Sequence, residues 1–207
     1  MHHSQSRGGT LRTFIAIELD DQVLRALAAV QSKLEAALPP RSVRWVRPEG
    51  IHLTLKFLGD TPAARLEEVQ RALAAAAARV APFSFSVEGL GCFPNPRRPR
   101  VIWVGVKEPT GALARLWQAV EAEVAPLGWP TEARGFQPHL TLGRVQRHVS
   151  SADLRALGEL VEKSEVGRLG SMTVRAVSFI RSDLKPTGAV YTTLAEAHLG
   201  GGAGETG

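Results

Sequence analysis

The chain has 207 residues, of which 44% are hydrophobic and 22% charged, and its formal charge is +5. That length can bury a sizeable core as one large domain or two small lobes, and the composition is that of a soluble globular protein. No apolar run is long enough to span a bilayer and the first residues do not form a signal peptide. The single cysteine, Cys92, excludes an internal disulfide, so a cytoplasmic setting fits.

Residues 1–10 are polar and Gly-rich and are expected to be disordered; His2 and His3, adjacent in such a segment, are weak metal ligands. Residues 11–19, with Phe14, read as a strand. Asp20 or Asp21 can cap a helix to about Leu38, with Val23, Leu24, Leu27, Val30 and Leu34 on its apolar stripe, and Pro39-Pro40 ends it. Residues 43–46 form a short strand, Pro48-Glu49-Gly50 a turn, and a strand follows from His52. Gly59-Asp60-Thr61-Pro62 reads as a helix start, the helix reaching about Val80. Residues 83–88 form a strand and 89–100 a turn-rich loop. Arg97, Arg98 and Arg100 make it the most basic short segment, either a solvated loop or a phosphate-contacting rim. Residues 101–106 form an apolar strand with Trp103.

Thr110 can cap the next helix, to about Leu127, and a strand follows Pro138, which lacks an N–H and belongs at a strand start. Ser150 opens a capping box for a short helix to about Lys163. Residues 168–180 read as one long strand. Pro186-Thr187-Gly188 is a hairpin turn before a strand from Ala189 to about Ala195, and residues 199–207 form a mobile Gly-rich tail.

One pattern organises this series. His52-Leu53-Thr54-Leu55 returns as His139-Leu140-Thr141-Leu142, 87 residues later (139 − 52), each in a strand context. Alternation puts His52 and Thr54 on one face and Leu53, Leu55 and Phe57 on the other; the second copy does the same with His139 and Thr141. Two such strands facing each other would hold two imidazoles and two hydroxyls around one small space. The strand and helix order predicts an α+β fold: two pseudo-symmetric lobes, each an antiparallel sheet backed by helices, around a central cleft. Residues 11–198 would form that single bilobal domain. There is no phosphate-binding glycine loop and no paired-Cys site. His52 and His139 alone lack a third metal ligand, so neither metal nor cofactor is expected.

The doubled motif and its flanks resemble one family. Two His-x-Thr-x strands half a domain apart are similar to the 2H (two-histidine) phosphoesterases. Residues 13–17, His52 to Gly59, Pro138 to Arg144, and the late Ser182, Leu184 and Tyr191 resemble the RNA 2′,3′-cyclic phosphodiesterases, also named 2′-5′ RNA ligases. The resemblance implies an RNA or nucleotide ending in a 2′,3′-cyclic phosphate, opened to a 2′-phosphate without a cofactor. It implies His52 as proton donor, His139 as acceptor, and Thr54 and Thr141 on the phosphate, with ATP-independent 2′-5′ ligation as a secondary activity. Imidazoles suit both proton roles because their pKa lies near neutrality. From the sequence alone the two roles are interchangeable, because the motifs are identical.

Other site candidates follow from position. Lys56 alternates onto the His52 face and can meet a phosphate. Arg144 alternates to the leucine side, so contact would need a bulge or strand end. Phe14 and Tyr191 can stack on a base or enter the core, and Arg181 and Lys185 flank the final hairpin as a rim. A monomer is expected. Two other readings stay open: a phosphodiesterase for small cyclic nucleotides, and a basic RNA-binding protein without turnover.

Overall fold

The computed structural model describes residues 9–186 and 188–200. Residues 1–8 of the expected disordered start, 201–207 of the expected tail, and Thr187 of the final turn lie outside them. Among the described residues, nine strands and four α-helices alternate along the chain. They are β1 (Thr10–Glu18), α1 (Asp21–Ala37), β2 (Val43–Trp45), β3 (His52–Pro62), α2 (Leu66–Ala78), β4 (Phe83–Phe93), β5 (Val101–Lys107), α3 (Ala112–Val124), β6 (His139–Val145), α4 (Ser151–Lys163), β7 (Gly170–Val174), β8 (Ala176–Lys185) and β9 (Gly188–His198).

The strands form two antiparallel sheets, ordered β3-β1-β8-β9 and β2-β6-β5-β4-β7. Helices α2 and α3 pack on the four-stranded sheet, and α1 and α4 on the five-stranded one. The apolar stripes of the helices and the core-side residues of both sheets join in one hydrophobic core. The architecture is α+β with two lobes, and the motif strands β3 and β6 lie within contact distance where the sheets meet.

The lobes are not the halves of the sequence. β4 leaves the first half to pair with β5, and β8 leaves the second half to pair with β1. The strand expected over 168–180 is broken at Arg175: β7 pairs with β4 in one sheet, and β8 crosses to the other. Alternation continues through such a break, so nothing in the pattern marks it. The helix start expected at 59–62 is also displaced. Thr10 to Thr13 keep pairing with Gly59 to Pro62, Thr13 Oγ1 bonds Thr61 Oγ1 at 2.7 Å, and α2 starts only at Leu66. Leu199 and Gly200, in the expected tail, are held by bonds from their amides to Arg175 O and Ala77 O.

The register of β3 and β6 holds the decisive local feature. Along β1, Ala16 faces Thr54 and Ile15 faces Lys56, so Leu55 is an extra residue on β3. Along β5, Trp103 faces Thr141 and Ile102 faces Gly143, so Leu142 is an extra residue on β6. Each β-bulge falls on the fourth residue of its motif and reverses the alternation beyond it. Lys56 therefore leaves the His52 face. It is buried opposite Ile15, its Nζ donating to Glu121 Oε2 at 2.8 Å and to Pro130 O at 2.6 Å. Glu121 Oε2 also accepts the Glu132 amide at 3.0 Å, which fixes the segment leading into β6. Lys56 is thus a structural cation on the core side, and the expectation that it meets a phosphate is not met.

Removing one member of a buried ion pair leaves the other charged and unpaired, which costs roughly 3–5 kcal/mol. Lys56→Met is therefore expected to lower the unfolding free energy by about that much in urea titrations, and a second change, Glu121→Leu, to restore most of it. A Lys56→Met protein within about 1 kcal/mol of the parent would place the pair with ordinary surface bridges.

Candidate active site

His52 and His139 are the first residues of β3 and β6, each followed two positions on by its threonine on the same face. A short 3-10 turn, Pro48–Gly50, delivers the chain to His52. Each ring is held by the backbone two residues upstream. His139 Nδ1 lies 2.7 Å from Gln137 O, and the His52 ring is hydrogen-bonded to the Gly50 backbone. A carbonyl oxygen only accepts, so Nδ1 of His139 carries a proton and its Nε2 is left for a ligand. Thr54 and Thr141 are half-buried, and among the described residues neither hydroxyl is engaged.

The neighbourhoods of the two rings differ. His52 stacks on Phe14 (centroids 4.6 Å apart, 23° between planes) and meets the edge of Tyr191 at 5.2 Å. Burial in this apolar corner pushes its pKa down to about 4; the Gly50 hydrogen bond and the Glu18 carboxylate act the other way and are outweighed. The ring is therefore neutral near pH 7. His139 meets the edge of Phe93 at 4.9 Å and lies 6.3 Å from the Trp103 ring. Trp103 reaches this position by lying on Gly91, where a Cβ would come within 2.3 Å of the indole.

Phe14 is 3% exposed and occupied by His52, so a base has no access to its face. It forms a small apolar cluster with Ala16, Ile180 and Tyr191 on the cleft side of the four-stranded sheet. The bulge at Leu55 brings Phe57 to that side instead, 67% exposed and tilted against Phe14 at 6.2 Å. Alternation had placed Phe57 in the core, and the doubled leucine preceding Lys56-Phe57 carried no mark of the bulge.

The bulge at Leu142 does the same for Arg144. Its side chain is exposed opposite Arg44 on β2, while Val145 turns into the core. Two bonds support this bulge: Leu142 O accepts from Val46 N and from the buried Gln31 Nε2, each at 2.8 Å. The Tyr191 phenol is pushed up by burial and pulled down by the charges of Arg144, Arg12 and Arg44, which gather around it. Arg12 and Arg44 were not singled out from the sequence.

The remaining candidates lie around this centre. Arg97 and Arg98 are exposed, and the backbone of Arg100 bonds Phe93 O and Val145 N, fixing the basic loop beside the end of β6. Arg181 is paired with Asp183 at 2.8 Å, Lys185 is exposed, and Cys92 is buried in the core. Among the described residues, no group of three or more His, Cys, Asp or Glu side chains is placed to hold a metal ion, and no helix is long and apolar enough to cross a membrane. Two surface concavities, one at Arg79–Ser84 and one between Leu19–Asp20 and Met172–Ala176, contain neither histidine.

Two equivalent strands, each presenting His and Thr to one cleft, match a sequence family twice. The profile of the LigT like Phosphoesterase family fits residues 17–103 and 104–191, one motif in each. The chain belongs to this family. Its relatives include an RNA 2′,3′-cyclic phosphodiesterase of Methanothermobacter thermautotrophicus, 35% identical over 89% of this chain and 96% of that one. A solved Thermus thermophilus protein superposes with a TM-score of 0.76 at 31% identity, covering 93% of this chain and 100% of that one. E. coli LigT complexed with 3′-AMP superposes at 0.70 with 26% identity, covering 92% and 98%. The second family match begins 87 residues after the first (104 − 17), the spacing of the two histidines.

The buried His52 makes an acid-sensitivity prediction. Its folded pKa of about 4 lies below the usual 6.5, so the unfolded chain binds the proton more tightly. The contribution of His52 to stability is then complete above about pH 6.5 and is lost as pH falls through 6.5 towards 4, by about 3 kcal/mol in all. Denaturant titrations at pH 7 and pH 4.5 are expected to show His52→Gln losing distinctly less stability across that interval than the parent. Equal losses would mean that this imidazole is not held neutral by burial.

Proposed function

We propose that the chain is an RNA 2′,3′-cyclic phosphodiesterase that opens a terminal cyclic phosphate to a 2′-phosphate by acid–base catalysis between His52 and His139. The observation that carries this reading is the pair of equivalent His and Thr side chains, one from each sheet, on the two strands that meet at the cleft. Curated relatives with this name share about a third of the sequence, and a solved relative holds a nucleotide.

The chemistry follows from the atoms available. Water attacks phosphorus while a base takes its proton, and the bond from phosphorus to the ribose 3′ oxygen breaks as an acid protonates that oxygen. The free Nε2 of His139 suits the base, because its Nδ1 proton is already committed to Gln137 O. His52 is then the donor, as the family resemblance implies. In the free protein this ring is neutral, so its proton must arrive with the substrate. An anionic phosphate against the ring opposes the effect of burial, since an adjacent negative charge favours imidazolium. The hydroxyls of Thr54 and Thr141 donate to the non-bridging phosphate oxygens, and Arg144 offsets the charge that grows on them. Phe57, which is exposed, takes the stacking role that the buried Phe14 cannot. A 5′-hydroxyl taking the place of water would join a cyclic end to a second strand by the same proton transfers, the base accepting from the 5′-hydroxyl and the acid protonating the ribose 3′ oxygen, and a monomer supplies every one of these groups.

Replacing either histidine with Ala is expected to lower turnover of a cyclic-ended RNA by on the order of 10²–10⁴-fold, with Thr54→Val and Thr141→Val losing less and keeping a bell-shaped pH profile. Near-parent turnover in a folded His52→Ala or His139→Ala protein would remove the acid–base pair. The direction of transfer has its own test. Titrating the histidine ring protons by NMR with adenosine 2′-phosphate bound should move the His52 pKa up from about 4 to at least neutrality. A ring that stays neutral in the complex would assign donation to His139 instead.

Phe57→Ala is expected to raise KM for a cyclic-ended oligonucleotide by roughly five- to a hundredfold, the range of one base–aromatic stack, with little change in kcat. An unchanged KM would show that the base lies elsewhere.

A further inference from the structure

This inference rests on the proposed function and concerns which substrates the cleft accepts. Arg44 and Arg144 are direct partners across the β2–β6 ladder, on the cleft side of both strands. Like charges in directly opposite positions destabilise a sheet. Arg12, on β1 of the other sheet, shares the cleft face with Phe14 and Ala16. All three side chains are exposed, and among the described residues none forms an ion pair, although Asp60 stands opposite Arg12 in its own ladder.

These cations converge from both lobes. The Tyr191 ring lies against Gly50, so β9 of the four-stranded sheet packs on the turn, Pro48–Gly50, that follows the strand carrying Arg44. The phenol senses the charges of Arg144, Arg12 and Arg44 together. The edge of the same ring meets His52 at 5.2 Å. One phenol ring thus lies between the reacting imidazole and a positive pole whose three guanidinium groups form no ion pair among the described residues.

We propose that Arg12 and Arg44, with Arg144 between them and the reacting phosphate, form a second anion subsite that takes the 5′-side phosphodiester of the terminal nucleotide. The enzyme is thereby built for oligoribonucleotide ends over free cyclic mononucleotides. An anion bound there offsets the Arg44–Arg144 repulsion that the folded chain otherwise carries. Guanidinium groups suit this because their planar fork donates to two phosphate oxygens at once. All three guanidinium side chains are exposed, so a phosphodiester can reach them from solvent.

The test uses three substrates: adenosine 2′,3′-cyclic phosphate, the same nucleotide bearing a 5′-phosphate, and a cyclic-ended adenosine dinucleotide. In the parent, kcat/KM is expected to be at least on the order of tenfold higher for the last two, the effect of one charge-assisted contact. In Arg12→Gln, Arg44→Gln and the double variant that advantage is expected to shrink, each variant losing several-fold more on the 5′-phosphorylated substrates than on the plain one. Thermal unfolding checks the fold; Arg44→Gln removes a like-charge pair and is expected to melt no lower than the parent. Equal efficiency on all three substrates in the parent, an advantage for the dinucleotide alone, or equal losses on all three in the variants would each overturn the subsite. If the parent turns over none of them, the proposed function fails instead. The subsite is then judged by calorimetric binding of adenosine 2′,5′-bisphosphate against adenosine 2′-phosphate, where it requires the bisphosphate to bind tighter in the parent and to lose that advantage in Arg44→Gln.

Discussion

The cleft depends on one backbone irregularity used twice. A bulge on the fourth residue of each His-Leu-Thr-Leu, at Leu55 and at Leu142, puts two successive residues on the core side and reverses the alternation that follows. Lys56 and Gly143 are the equivalent residues turned inward, and Phe57 and Arg144 the equivalent residues turned to the cleft. The inward pair shows why each copy needs its own residue. Lys56 meets the buried carboxylate of Glu121. At Gly143 a Cβ would come within 2.5 Å of Val43 Cγ1 and 2.9 Å of Trp45, so a side chain there would push β2 away from β6. Arg44 stands opposite Arg144 only because β2 can approach. A glycine on the core side therefore sets the charge on the cleft side.

This feature also separates what the sequence states from what it conceals. Doubled histidine and threonine positions are visible because they repeat at a fixed spacing, and the α+β order is visible because helical and strand periodicities alternate along the chain. Alternation is a local rule and needs a known register to run past a bulge. Nothing in Leu55-Lys56-Phe57 or Leu142-Gly143-Arg144 marks the extra residue, since both leucines are apolar and both end up in the core. Lys56, Phe57 and Arg144 were assigned faces by counting, and each lies on the face that counting excludes. Arg12 and Arg44 were missed for a different reason. Each is an unremarkable exposed arginine on its own strand, and their meaning comes from a long-range meeting with Arg144 and Tyr191.

Identical motifs do not make identical histidines. Both rings are tied to the backbone two residues upstream, so the motif fixes orientation in the same way in each lobe. What packs around the ring differs between the lobes. Phe14 stacks on His52 and Tyr191 meets it edge-on, and this apolar packing is what lowers its pKa. Phe93 and Trp103 stand at the side of His139, and neither stacks on it; both histidines are half-buried. The motif therefore sets the orientation of each ring, and the neighbouring strands set how strongly His52 is desolvated.

The strand exchange explains how the chain secures that difference. Phe14 comes from β1, near the start of the described residues, and Tyr191 from β9, near their end. They meet over His52 because β8 crosses from the second half to pair with β1 and carries β9 beside it. The fence around His139 comes from β4 and β5, joined by the reciprocal crossing of β4 out of the first half. Neither half alone would complete either histidine's surroundings. The first would lack Tyr191 and β8, one of the two sheet partners of β1, and the second would lack Phe93 and the strand against which β5 and β7 pair. The fold and the site are therefore tied to the same interlock: the strand crossings that hold the two lobes together are the crossings that assemble the aromatic walls of both imidazoles.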